Sequence, residues 1–277
     1  MRFRRRKPRP FVRPAVPAVE EVVVRPAHRR RGIYLLPNLF TMAALFAGFF
    51  AIVQAMNQRF ETAAIAILVA MVLDGMDGRV ARLTNTQSAF GEQLDSLSDM
   101  TSFGVAPALV MYVWVLQDLG RWGWAGAFVY CACAAARLAR FNANLGVVDK
   151  RFFQGLPSPA AAALLAVFVW LVIDNKLHIK DAALPWVAFG FTVYAGLAMV
   201  SSAPFYSGKS FHLARSVPFW VMVAVIVLIF VVSSNPPIAL FTLFCCYAVS
   251  GYVYWAWRWF RGESNPARPV PSETGKR

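Results

Sequence analysis

Acidic side chains are scarce in this chain. Fourteen Asp and Glu face 28 Lys and Arg across 277 residues, and charged residues of both signs make up only 15%. A soluble domain carries roughly 25% charged and 45–50% apolar residues, so a composition that is 58% hydrophobic argues against an ordinary water-soluble globule. Histidine (3) and cysteine (4) are equally thin. Cys131, Cys133, Cys245 and Cys246 fall in apolar runs, where a thiol packs as a small hydrophobe, and His28, His178 and His212 stand at no ligand spacing from them. No apolar segment follows the first charges before Leu35, which argues against a secretory signal. Pro8, Pro10, Pro14 and Pro17 discourage the amphipathic helix of an organellar presequence.

What is abundant is sorted by position. Residues 1–31 hold eleven of the 28 bases, opposed only by Glu20 and Glu21 and interrupted by five prolines. Such a stretch buries too little apolar surface to order itself. Beyond Gly32 long apolar runs follow at about 38–56, 60–81, 97–117, 122–142, 158–174, 182–201, 216–234 and 236–257. Each is near the ~20 residues that cross ~30 Å of hydrocarbon as a helix. With eight crossings, 24 of the 28 bases share one side with both termini, while Arg59, Arg121, Lys176 and Lys180 lie opposite. Basic residues mark the cytoplasmic side. The expectation is an all-α polytopic membrane protein of about eight transmembrane helices with both termini cytoplasmic. It comprises a disordered basic tail at 1–32, a membrane domain at 33–260 and a C-terminal tail at 261–277. A net charge of +14 would suggest nucleic acid in a soluble protein; here it reads as topology, and no nucleic-acid partner is expected.

The few acids are concentrated. Asp74 and Asp77, three apart, end the second run; Asp95 and Asp99, four apart, begin the third. Both spacings set a pair on one helical face. The polar turn Thr84–Ser88 lets the pairs converge. Four carboxylates at the edge of a membrane repel one another, and each costs up to roughly 2.5–3.5 kcal/mol to place there. Two divalent cations would balance the charge. Oxygen donors suit Mg²⁺ or Mn²⁺, and paired ions of this kind clamp the oxygens of a displacement at phosphorus. Gly78 and Gly91, one turn from Asp74 and Asp95, leave room for a bulky phosphate ligand, and Arg82 offers a planar fork to its oxygens.

Asp74-x-x-Asp77-Gly78-x-x-Ala81-Arg82, eight residues, then Gly91-x-x-x-Asp95-x-x-x-Asp99 resembles the complete signature of the CDP-alcohol phosphatidyltransferases at all eight of its positions. The resemblance implies a homodimeric enzyme that displaces CMP from a CDP-linked lipid with two Mg²⁺ or Mn²⁺ ions. It implies that Asp74 and Asp95 touch both ions, Asp77 one and Asp99 the other, with Asp99 the general base. Gly78, Arg82 and Ser88 match positions that contact the nucleotide or its phosphates, as do Asn38 and Thr41 in the shorter motif Pro37-Asn38-Leu-Phe-Thr41.

The acceptor is the finer question. Arg137-Leu-Ala-Arg140-Phe-Asn142, Phe153-Gln-Gly155-Leu-Pro157-Ser-Pro159 and Val200 to Lys209 resemble the serine-using members of the family. CDP-diacylglycerol and L-serine are therefore the expected substrates, at the cytoplasmic face of a cell (inner) membrane. A serine carboxylate needs a cation, and Arg137, Arg140 and Lys209 are the candidates for it or for the lipid phosphates; their alternative role is topological. Within the family, glycerol 3-phosphate, inositol phosphate or choline are the other acceptors. A membrane prenyltransferase would carry its acidic motifs on helices far apart in sequence. A cation transporter would give Arg82 and the two glycines no purpose.

Overall fold

The computed structural model describes residues 35–84, 88–143, 152–174, 179–206 and 219–261. The basic tail, nearly all of the C-terminal tail and Lys209 lie outside them. The described residues form α1 (Leu35–Met56), α2 (Phe60–Leu83), α3 (Ala89–Asp99), a π-helical turn (Met100–Val105), α4 (Ala106–Trp114) and a 3₁₀ turn (Leu116–Leu119). These are followed by α5 (Arg121–Ala143), β1 (Phe152–Gln154), α6 (Ser158–Ile173), α7 (Leu184–Val200), β2 (Pro204–Tyr206), α8 (Phe219–Ser234) and α9 (Pro236–Phe260). Helix occupies each of the eight apolar runs, the third being assembled from α3, the π turn and α4. Among the described residues two helices, Pro37–Met56 and Pro236–Phe260, are long and apolar enough on their own to cross a bilayer, whereas α6 and α7 are shorter.

Small side chains decide the first contact. Ala44, Ala47, Ala51 and Ala55 recur at helical spacing on α1, and all are buried. They meet Ala63, Ala64, Ile67 and Ala70 of α2, and α1 and α2 pack closely along their lengths. Bare methyl groups let two backbones approach where no water exists to drive them together. Helix α6 is apolar all round and buried on nearly every side, packing on α2, α4, α7, α9 and the π turn. A helix without a polar face belongs in the middle. Its Phe168 stacks on Phe191 of α7 at 4.8 Å, with Phe241 of α9 at 6.2 Å and Trp114 of α4 edge-on at 5.9 Å.

The exterior is apolar too. Phe46 (68%), Trp220 (78%) and Phe230 (72%) stand exposed, a surface matched to hydrocarbon rather than water.

One feature departs from an all-helical expectation. Strands β1 and β2, from segments read as loops, pair antiparallel with Phe153 opposite Phe205. The ribbon is pinned by Phe205, fully buried against Tyr247, Tyr252 and the bare Cα of Gly251 on α9. Gly155, with φ +76°, turns the chain from β1 toward α6 where a Cβ would run into the Met199 carbonyl. Three residues per strand carry no pattern that sequence periodicity detects.

Candidate active site

Helix α2 changes character along its length. Its first half is the alanine face against α1; its C-terminal end reads Asp-Gly-Met-Asp-Gly-Arg-Val-Ala-Arg, with Asp77 buried. Helix α3 starts at Ser88, whose Oγ accepts the Gly91 N–H at 3.0 Å as an N-cap. It packs along α1 rather than flat on α2, which leaves room between the two acidic helices. Ser98 Oγ donates to the Thr41 carbonyl at 3.2 Å and Ser102 Oγ to the Ala44 carbonyl at 3.1 Å, one turn apart on each helix. Gly48 completes that seam, since a Cβ there would collide with Ser102.

The arrangement brings Asp74, Asp95 and Asp99 together, one carboxylate oxygen of each lying within 4.8 Å of the others. So close an approach of ionised carboxylates is repulsive unless a proton or a cation lies between them. Asp99 Oδ1 is buried without a hydrogen-bond partner among the described residues. Asp95, on the same helix as Asp99, faces the charges of Asp74, Asp77 and Glu92. Hard oxygen donors, mutual repulsion and an orphaned acceptor all fit a divalent cation.

Asp77 stands apart from this trio. It is 6% exposed, and its Oδ2 accepts from Thr41 Oγ1 at 2.8 Å. Together they line a cleft of about 200 Å³ with Pro37, Asn38, Gly78, Ala81, Arg82, Ser88, Gly91, Glu92 and Asp95. All five residues anticipated to contact nucleotide (Asn38, Thr41, Gly78, Arg82 and Ser88) thus border one cavity. Gly78 opens onto it, its nearest neighbour for an added Cβ being Arg82 Nη1 at 3.7 Å. At Gly91 a Cβ would sit 3.2 Å from Asn38 Oδ1 and Ser88 Oγ, narrowing the cleft.

The candidate acceptor cations divide. Arg137 is 8% exposed; its Nη1 donates to Ser158 Oγ at 2.7 Å, while its buried Nε has no partner among the described residues. Its charge bears on Asp99. Arg140 is committed to backbone. It donates to the carbonyls of Val200 (2.9 Å), Gln154 (3.0 Å), Met199 (3.2 Å) and Ser201 (3.4 Å), tying the end of α7 to β1. Lys209 lies outside the described residues.

Sequence reasoning missed Glu92 on the rim, Ser98 and Ser102, and Ser158 as the partner of Arg137. Ser98-x-x-x-Ser102, two hydroxyls one turn apart entering an apolar run, is the one signal that would have found part of this set.

A family model described as CDP-alcohol phosphatidyltransferase matches residues 34–194. A Helicobacter pylori (strain J99) protein named CDP-diacylglycerol–serine O-phosphatidyltransferase is 38% identical over 225 residues, covering 80% of this chain and 92% of the relative. Proteins of the same name from Methanocaldococcus jannaschii and Saccharomyces cerevisiae are 39% and 36% identical over 147 and 159 residues. They cover 52% and 50% of this chain, and 65% and 57% of their own lengths.

Proposed function

Because this chain belongs to the CDP-alcohol phosphatidyltransferase family, we propose that it transfers the phosphatidyl group of CDP-diacylglycerol to the hydroxyl of L-serine, giving phosphatidylserine and CMP. The observation that carries the chemistry is the convergence of Asp74, Asp95 and Asp99 within 4.8 Å beside the cleft. Serine as acceptor is supported by the name of the relative matched over 92% of its length.

In this reading the serine oxygen attacks the phosphorus bearing diacylglycerol, the bond from that phosphorus to the CMP oxygen breaks, and the serine proton passes to the Asp99 carboxylate. CMP is already a good leaving group, so the protein's main work is positioning and charge neutralisation. Asp74, Asp95 and Asp99, with Asp77 from the cleft side, would hold two Mg²⁺ or Mn²⁺ ions, which when bound neutralise the diphosphate. Arg82 and Ser88 hold phosphate oxygens, Asn38 and Thr41 the nucleotide, and Gly78 lets it lie against α2. Arg137 holds the serine carboxylate, supported by an Nε without a partner among the described residues and by its bond to Ser158 at the start of α6, where the helix dipole also favours an anion. Lys209 is a second candidate for that anion or for the lipid phosphates, and Arg140 a third through whatever reach its backbone contacts leave.

The same reading has eight crossings with both termini cytoplasmic, a site at the cytoplasmic face of the inner membrane, and a homodimer. The test is CMP release by purified protein given CDP-diacylglycerol, Mn²⁺ and a panel of alcohols. Release with serine alone is expected. Release with glycerol 3-phosphate, inositol phosphate or choline instead would remove serine, and no release with any alcohol would remove the activity.

A further inference from the structure

The helical run from Ala89 to Trp114 changes pitch once, and the change begins at the residue after Asp99. Between Met100 and Val105 the backbone takes the wider π form, with the Ala106 N–H bonded five residues back to the Thr101 carbonyl. Pro107 supplies a physical reason. In an α-helix the Phe103 carbonyl would await the N–H of residue 107, which proline lacks, and the proline ring would press against that carbonyl. The wider register relieves the clash and leaves the Phe103 carbonyl in a fully buried position. Tyr130 of α5 answers it, its hydroxyl donating to the Phe103 oxygen at 2.9 Å. The Tyr130 ring is itself fully buried, and Gly104 keeps the approach close, a Cβ there lying 3.3 Å from Ala134 of α5.

Downstream of the turn, α4 is fixed in the core by Ala106, Val110 and Met111. Upstream sits Asp99. One residue more or less between them would rotate the acidic end by about 100° and shift it about 1.5 Å relative to α4. We propose that Tyr130 is a positioning residue for the reaction: by bonding the buried Phe103 carbonyl inside the π turn, it holds that turn and thereby sets the direction in which Asp99 faces Asp74. Tyr130 touches no substrate. It acts through Phe103 and the turn, and the inference rests on the reading of Asp99 as the base.

The test compares Tyr130→Phe, Pro107→Ala and the double variant with the unaltered protein in detergent micelles. Tyr130→Phe keeps the ring and removes only the donor, so kcat is expected to fall by about ten- to a hundredfold, the scale of a misplaced catalytic group. KM for both substrates should stay within about twofold, because the cleft is untouched. Amide exchange in a peptide covering 100–106 should accelerate, a readout independent of turnover. Pro107→Ala returns an N–H to the Phe103 carbonyl and lets a plain α-helix form, so kcat should fall while the fold is kept. The double variant should then be no worse than Pro107→Ala alone. Full kcat in either single variant, or losses that multiply in the double, would overturn the proposal. If Tyr130→Phe does not fold, Pro107→Ala decides by the same kcat criterion. Absence of CMP release from the unaltered protein would instead remove the proposed activity, leaving the exchange measurement to test the hydrogen bond alone.

Discussion

Replacing Asp99 with Asn separates the chemical role of the acidic cluster from its electrostatic cost. The side chains are nearly the same size, so packing at the end of α3 is preserved while one negative charge and the proton acceptor are lost. Loss of a general base lowers turnover by about 10²–10⁴-fold, or roughly 3–5 kcal/mol of barrier at 1.36 kcal/mol per decade. The effect on stability has the opposite sign. Asp99 meets two carboxylates, Asp74 and Asp95, and one guanidinium, Arg137, so repulsion outweighs attraction. Two unit charges at 4.8 Å, the separation that bounds the trio's oxygens, repel by about 3–4 kcal/mol at an effective dielectric of 20 when both are ionised. In a metal chelator Asp99→Asn is therefore expected to melt higher than the unaltered protein. With Mn²⁺ the order should narrow or reverse, because the variant offers one ligand fewer. Thermal unfolding with and without chelator, CMP release, and equilibrium binding of CDP-diacylglycerol measure the three quantities separately. Near-normal turnover would refute the role of Asp99 as base. A lower melting temperature in chelator would refute the electrostatic account of the cluster.

Three further outcomes follow from the geometry. Thr41→Val strips Asp77 of its 2.8 Å donor inside the protein, a loss of about 1–3 kcal/mol; unfolding should report it together with a raised KM for CDP-diacylglycerol, and an unchanged KM would separate Asp77 from the nucleotide. Arg137→Gln removes a charged donor from the serine carboxylate, so KM for serine should rise about ten- to a hundredfold, corresponding to about 1.5–3 kcal/mol; an unaltered serine KM would send Arg137 back to a purely structural part. Arg140→Met breaks the tie between α7 and β1, so stability should fall by about 2 kcal/mol with serine KM unchanged; a selective rise in serine KM at normal stability would make Arg140 the carboxylate ligand.

The acidic residues were legible because their spacing is rigid. Asp74 with Gly78 and Arg82, and Gly91 with Asp95 and Asp99, sit one turn apart on any α-helix, so local sequence alone determines what shares a face. The helical runs were legible because a backbone shielded from water must bond to itself. Other features depend on partners remote in the chain. Thr41 withdraws Asp77 into the cleft across 36 residues, and Arg140 is engaged by carbonyls 14 to 61 residues away. Backbone acceptors have no sequence signature, so an arginine that staples carbonyls and one that awaits a substrate look alike on paper. The π turn lies between these cases. Pro107 inside an apolar run signals a disturbance, but which register results depends on whether a donor such as Tyr130 arrives from another helix.

The wholly apolar α6 also has a consequence for how the protein is made. At 16 residues it is only about 24 Å long, short of a full hydrocarbon thickness, and its neighbours come from both sides of it in the chain. α2 and α4 leave the ribosome before it; α7 and α9 leave after it. The centre of the protein is therefore open until α9 has been made, because Phe168 meets Phe241 only then. A chain stopped before Pro236 would leave that side of α6 uncovered, so α9, long and apolar enough to cross a bilayer, also closes the core.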